Sequence, residues 1–532
     1  MTASAQRLSR PEILCLASIL VLGFFLRAQV LVWGQGYNFA SQRDSIEAFA
    51  VAVEYEVGEP HARYLGQPNF NSVTHSKLPG PGWTLFCLAG WKIWGSIEGI
   101  CWLLVLANVA AIYLTFLLAA RTLGTFAGLL AALLLATAPP AIQFSVTAHN
   151  PNIVPLFSAL ICLVLWQTAS VDRSRAIGWV AFLILLSLQF HISGVMLLPA
   201  VVLVLCVTNR RINWTWLIIG MVAGFALYLP YILGESANHW QNTHTMLVRG
   251  GSKYKLESLK VITVPLSYFV NYWWPVGIYT AEEFRTMSRF TLGGYGWVIA
   301  SNVLATIVMA ALAVRAAISG RAALRGILRT PRAVFARSPG VVFLLLVTLA
   351  SLAAAVAAGI SFQARYGLIL FAPLFSIAGA AAVQLLTDNR TRLPFGLTAA
   401  AITVVNIWFV LSGAVFQGRQ LEEAPRFFAS YRNLERVYQS LRRTVPDDRI
   451  IEVNADKYFP SAQEVTEHFL DPYNIPYYVD AREKERWRRR TPATKEPVHF
   501  EVSAQENTAG NGPGVALAWK NIRVTRADQG DR

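Results

Sequence analysis

Three stretches of the chain hold groups that could do chemistry. The first is Ser41-Gln-Arg-Asp-Ser-Ile-Glu47, just beyond an apolar run over 13–33 whose one charge is Arg27. A carboxylate at Asp44 could take a proton from a hydroxyl nucleophile. It could equally cap a helix, because Ser41 with Asp44 fits a capping box and Asp44 with Glu47 suits a helix start. The second stretch, Thr-His75-Ser-Lys77-Leu-Pro-Gly-Pro-Gly-Trp83, carries a cation on chain stiffened by Pro79 and Pro81. The plainer role of Lys77 is a lysine snorkelling at the interface. The third is Arg365-Tyr366, ahead of a further apolar run. Its guanidinium grips phosphate bidentately and keeps its proton, although an ordinary interfacial anchor has the same composition. His149-Asn150 and His191 are the remaining polar groups at the ends of apolar runs. A lone loop histidine is more often simply solvated.

The elements that must position these groups are membrane spans. The chain has 532 residues, 54% hydrophobic and only 14% charged, with a mean hydropathy of +0.42. Soluble proteins carry about 25% charged residues. Apolar runs at 12–33, 100–120, 123–141, 153–170, 176–191, 193–208, 213–233, 291–314, 340–360, 366–386 and 394–416 predict an all-α polytopic membrane protein with about eleven crossings. The run over 82–95 is short and holds Trp83, Trp91, Lys92 and Trp94, a composition that suits a helix lying in the interface. The net charge of +15 would suggest nucleic acid in a soluble protein. Here it gathers in short loops, so membrane orientation explains it and no nucleic-acid partner is expected. Arg315, Arg321, Arg325, Arg329, Arg332 and Arg337 share one loop without an acid, which marks that loop as cytoplasmic. The five cysteines lie in apolar segments, without metal-ligand spacing.

With that sidedness, the loops 34–99 and 235–290, the turn at His149-Asn150-Pro-Asn152 and the C-terminus are external. The chain divides into a membrane module, 1–416, and an external tail, 417–532, that reads as a small α+β domain. An amphipathic helix over 426–443 precedes strand-like runs at 449–453, 498–502 and 515–519. The charged cluster 482–490 reads as a solvated helix face, or as a contact with anionic head groups of membrane lipids. Inside the predicted spans ionisable groups are nearly absent, whereas ion-coupled transporters keep them at mid-membrane. Arg27 lies toward the outer end of the first span, and His191 lies near another outer end. The polar groups thus gather at the external interface, where they would meet an amphiphile with a lipid tail and a polar head.

The order of these features resembles the GT-C membrane glycosyltransferases that use polyprenyl-phosphate sugars. Within that class it resembles the protein O-mannosyltransferase and lipid A aminoarabinose transferase type. An early Asp44, then Lys77 with Pro79 and Pro81 before an interfacial helix, then a late Arg365-Tyr366 followed by Pro373, carry the likeness over roughly 12–390. The resemblance implies a GT-C-like fold and sugar transfer at the external face, with a polyprenyl-phosphate sugar donor and a glycan, lipid or protein acceptor. Asp44 would be the catalytic base, and Arg365, Lys77, Tyr366 and Arg27 would bind the donor phosphate. His149, Asn150, His75 and His191 would assist the acceptor or a metal. A divalent metal stays open, because the family usually has Asp-Glu where this chain has Asp44-Ser45, and often an acid in the external turn. The implied location is a bacterial inner membrane, with the site and the C-terminus periplasmic. Two other classes remain. A lipid-linked oligosaccharide flippase would need a hydrophilic path through the spans, and a non-catalytic scaffold would leave the external polar cluster dispensable.

Overall fold

The computed structural model describes residues 8–33, 43–68, 77–95, 98–250, 295–357, 364–423, 431–454, 474–487, 497–504, 515–519 and 522–526. The chain opens with α1 (Arg10–Trp33), α2 (Arg43–Val57), a hairpin of β1 (Leu65–Pro68) and β2 (Lys77–Pro79), and α3 (Gly82–Trp94). The helical body follows with α4 (Glu98–Leu123), α5 (Thr125–Thr137), α6 (Pro139–Ser145), α7 (Val154–Ser170), α8 (Ala176–Leu188), α9 (Leu198–Thr208) and α10 (Trp214–Ala226). Then come α11 (Leu229–Ala237), α12 (Gln241–Gly250), α13 (Tyr295–Arg329), α14 (Pro331–Arg337), α15 (Pro339–Ala357), α16 (Phe371–Thr387) and α17 (Arg392–Glu423). Helices α4, α5, α7 and α16 form the centre, with α1 against α4 and α5, and α8 between α7 and α10.

Among the described residues, four helical segments are long and apolar enough to cross a membrane: Arg10–Val32, Glu98–Leu123, Asn150–Ser170 and Gly367–Thr387. A fifth is the bent pair α10 and α11, which break at 46°. Other apolar helices, such as α5 and α8, are 13 residues each. At 1.5 Å per residue these reach only about 20 Å of a core about 30 Å thick. Short 3₁₀ segments interrupt the apolar runs at Asn150–Ile153, Ile192–Leu197 and Ala364–Leu370. Helix α3 is 13 residues long, in keeping with its interfacial reading, and ends at Gly95 in the left-handed conformation (φ 65°). It buries Trp83 and Trp91 against α2 and α4 while Ile93 and Trp94 stay exposed.

The bundle has two chemically different ends. At one, Arg210 pairs with Asp172 (3.5 Å), Arg332 donates to Asn209 (3.0 Å), and Gly340 is packed on the Thr122 carbonyl. The cationic loops near Arg121, Arg173, Arg210 and Arg332 therefore meet. Helix α7 runs from that end to the turn at Asn150–Ile153, at the other.

The tail begins with α18 (Tyr431–Thr444) and β3 (Ile451–Asn454), continues through α19 (Asn474–Trp487), and closes with β4 (Val498–Ala504), β5 (Val515–Trp519) and β6 (Ile522–Arg526). The sheet order is β3-β4-β6-β5, with β3 parallel to β4 and the other pairs antiparallel. The described part of the charged cluster does not form a solvated face. Glu483 is 3% exposed, accepts from Tyr438 (2.8 Å) and the Ile451 amide (3.1 Å), and pairs with Arg442 (3.2 Å). Arg482 pairs with Glu435 (3.0 Å). These ions are turned inward because α18 presents complementary charge to α19. Residues 488–490 lie outside the described residues.

Candidate active site

Asp44 lies in the first turn of α2. The helix buries Ala48, Phe49, Ala52 and Val53 against α3 and α19, and it also touches β1. Phe49 meets Trp91 edge-on (5.5 Å) and stacks on Tyr478 of the tail (5.9 Å). The first loop and the tail thus share one end of the molecule.

Lys77 is fixed through its backbone. Its strand pairs antiparallel with β1. Its amide donates to Asn242 Oδ1 (2.7 Å), and its carbonyl accepts from Asn242 Nδ2 (3.0 Å). After β2 the chain turns at Gly80 (φ 92°), whose amide donates to the Tyr64 carbonyl (3.1 Å). A Cβ at Gly80 would stand 2.8 Å from Gln189 Cδ, the end of a side chain that could shift, so the positive φ is what calls for glycine at this turn.

The joint between α8 and the next 3₁₀ segment gathers the other groups. Gln189 covers the Gly80–Gly82 turn and donates to the Leu227 carbonyl (2.8 Å). The Phe190 carbonyl accepts from Asn150 Nδ2 (3.0 Å). His191 Nδ1 accepts from the Ser193 amide (3.2 Å) and lies 2.8 Å from its hydroxyl. His149 is buried, and its carbonyl accepts from the Asn152 amide (3.0 Å). The Ala364–Leu370 segment, whose backbone carries Arg365 and Tyr366, lies against both Asn150–Ile153 and Ile192–Leu197. Ser158 ties it down by donating to the Ile369 carbonyl (2.5 Å).

The structure therefore brings together the Gly80–Gly82 turn after Lys77, His149, Asn150, His191 and the backbone segment of Arg365 and Tyr366 along the joint formed by residues 189–197. His75 lies outside the described residues. Arg27 stands apart from this group. It is 1% exposed, and its guanidinium donates to the carbonyls of Gly23 (3.0 Å), Ala136 (3.0 Å) and Leu135 (3.2 Å). The last two end α5 and lack helical donors of their own. Arg27 thus closes a helix end through its two Nη atoms.

Sequence reasoning missed Gln189, Tyr64, Glu235 and the role of Asn242. Gln189 carried a signal, as a polar side chain within an apolar run just before a break. Glu235, 1% exposed, accepts from the amide and hydroxyl of Thr243 (2.7 and 2.9 Å). Burial, and then the Glu235 carboxylate, raise the pKa of the Tyr64 hydroxyl. Among the described residues no three His, Cys, Asp or Glu side chains come together to hold a metal ion.

No curated protein matches the chain by sequence. The profile of the dolichyl-phosphate-mannose-protein mannosyltransferase family matches residues 79–233, which include Gly80, His149, Asn150, Gln189 and His191. Among solved structures, ArnT from Cupriavidus metallidurans bound to undecaprenyl phosphate matches over 97% of this chain and 97% of its own. The TM-score is 0.58 and the identity 11%; the apo state gives the same values. The Archaeoglobus fulgidus oligosaccharyltransferase tethered with an acceptor peptide matches 92% of this chain and 69% of its own, at 12% identity and a TM-score of 0.45, too loose to carry an argument. At 11% identity the ArnT match shows a shared fold. The chain is a membrane protein with the fold of ArnT, and it resembles the polyprenyl-phosphate-sugar-dependent glycosyltransferases of the GT-C class.

Proposed function

We propose that the protein transfers a sugar from a polyprenyl-phosphate carrier to an acceptor hydroxyl at the external, periplasmic face of the membrane. The observation that carries this reading is that the Gly80–Gly82 turn after Lys77 packs on Gln189 while the Ala364–Leu370 segment packs on Ile192–Leu197, the continuation of the same joint. That arrangement sets two cation-bearing segments at the end of the bundle away from the arginine-rich loops. The family match and the ArnT fold support the same chemistry.

Asp44 takes the proton of the acceptor hydroxyl as its oxygen attacks the anomeric carbon. The bond from that carbon to the phosphate oxygen breaks on the opposite side, so configuration inverts. The departing polyprenyl phosphate is a weak base that needs charge stabilisation rather than a proton, and Arg365 and Lys77 supply it. Tyr366 adds a hydroxyl donor in the same pocket. Asn150 and His191 hold the framework behind that pocket, as their hydrogen bonds indicate. The test is mass spectrometry of envelope lipids, glycans and proteins from cells with and without the chain. Loss of one sugar modification is the expected result, and identical profiles would contradict the proposal.

A further inference from the structure

The side chain of Asn242 reaches across from α12 and satisfies both backbone groups of one residue, Lys77. That pairing imitates a neighbouring strand along the free side of β2. Asn242 is itself held. Its Nδ2 also lies 3.3 Å from the Tyr231 hydroxyl, which is 2.7 Å from the Thr243 hydroxyl. Thr243 in turn donates its amide and hydroxyl to the buried Glu235. Glu235 thus anchors the first turn of α12, and α12 aims Asn242. Beside this chain, Asn238 donates to the Tyr64 hydroxyl, and Gly234 packs on the face of the Tyr64 ring. Tyr64 immediately precedes β1, the partner strand of β2. Helices α11 and α12 therefore grip the hairpin from two directions, through Tyr64 and through Lys77.

We infer that Asn242 is a positioning residue for Lys77, held in place by Glu235 through Thr243 and Tyr231. Its function is to fix the height and direction at which the lysine enters the donor pocket. This rests on the reading of Lys77 as a donor-phosphate group. A long, flexible lysine gains from such a clamp, because an anchored backbone leaves fewer conformations to be lost when the ammonium meets an anion.

The test uses the purified full-length protein, undecaprenyl monophosphate as the probe, and hydrogen exchange at the Lys77 amide as a second readout. Asn242→Ala is expected to speed exchange at Lys77 and to weaken binding about tenfold, the scale of one or two lost hydrogen bonds. In a Lys77→Ala background the same change should add nothing further, because both act through one side chain. A merely structural role would instead lower the melting temperature and add its effect in both backgrounds. Glu235→Gln, which keeps the acceptor oxygen, should retain slow exchange and wild-type binding, whereas Glu235→Ala should resemble Asn242→Ala. Wild-type binding by Asn242→Ala, with weakened binding by Lys77→Ala, would overturn the inference and leave the donor reading standing. Wild-type binding by Lys77→Ala would remove Lys77 from the phosphate and take the inference with it.

Discussion

Arg365 and Lys77 would meet the same phosphate with different chemistry. A guanidinium presents a planar fork to two phosphate oxygens, while an ammonium is a compact point charge on a flexible stem. Replacing Arg365 by Ala removes a donor aimed at charge that develops in the transition state, a loss on the scale of roughly 10²–10³-fold in turnover. Arg365→Lys should fall between Ala and wild type, since charge survives and geometry does not. Turnover of a polyprenyl-phosphate sugar by the purified variants checks this ordering, and full activity in Arg365→Ala would take the residue out of the site. Arg27 shows why residue type alone does not assign a role. The resemblance offers it as a phosphate ligand beside Arg365, Lys77 and Tyr366, and its guanidinium donates to the carbonyls that end α5. Nothing in the spacing of the first span could reveal that, because the partners are backbone carbonyls more than a hundred residues away.

At the scale of elements, α2 is the piece with most at stake. It carries Asp44 and is clasped between α3 and α19, so the tail helps hold the helix of the proposed base. Tyr478→Ala removes the ring stacked on Phe49 and a hydroxyl bonded to Glu435. By the scale of buried aromatic truncations this costs about 3–5 kcal/mol. Tail release by limited proteolysis at a lower temperature is the expected outcome, with transfer activity falling as the tail detaches. Unchanged proteolysis would mean that the contact does not hold the tail. Helix α3 was legible in the sequence as a separate short helix, because tryptophans and a lysine crowd a segment too short to cross. Helix α18 was legible from its amphipathic pattern, and the strands near 451, 498 and 515 from their strand-like runs. Strand β6 and the inward-facing charges of α19 were not, since a run of mixed charge looks solvated until its partners on α18 are known. The site's joint at Gln189-Phe190-His191 was visible only as the end of the apolar run over 176–191. Its meaning depends on Gly80, about a hundred residues earlier, which leaves no periodic trace.

For the whole molecule, the cationic loops collect at one end and the site segments at the other. The arginine-rich stretch 315–337, expected from the sequence as a loop, is helical in α13 and α14. With that stretch in the cytoplasm, reporter fusions after Gln417 should report the external side, and fusions within 315–337 the internal one. A cytoplasmic signal from the tail fusion would overturn the orientation and, with it, access of a periplasmic acceptor to the site. The central claim, the proposed base-assisted glycosyl transfer, comes to its sharpest point at Asp44. Asn caps a helix about as well as Asp, and even complete loss of a cap costs only about 0.5–2 kcal/mol. An Asn cannot accept the acceptor's proton, however. The decisive measurement is therefore turnover of a polyprenyl-phosphate sugar by purified Asp44→Asn protein, beside Glu47→Gln as the control with no chemical role. The account predicts a fall of roughly 10²–10⁴-fold in Asp44→Asn, with melting temperature unchanged and the control near wild type. Near-normal transfer by a well-folded Asp44→Asn protein would contradict it and return this carboxylate to the role of a helix cap.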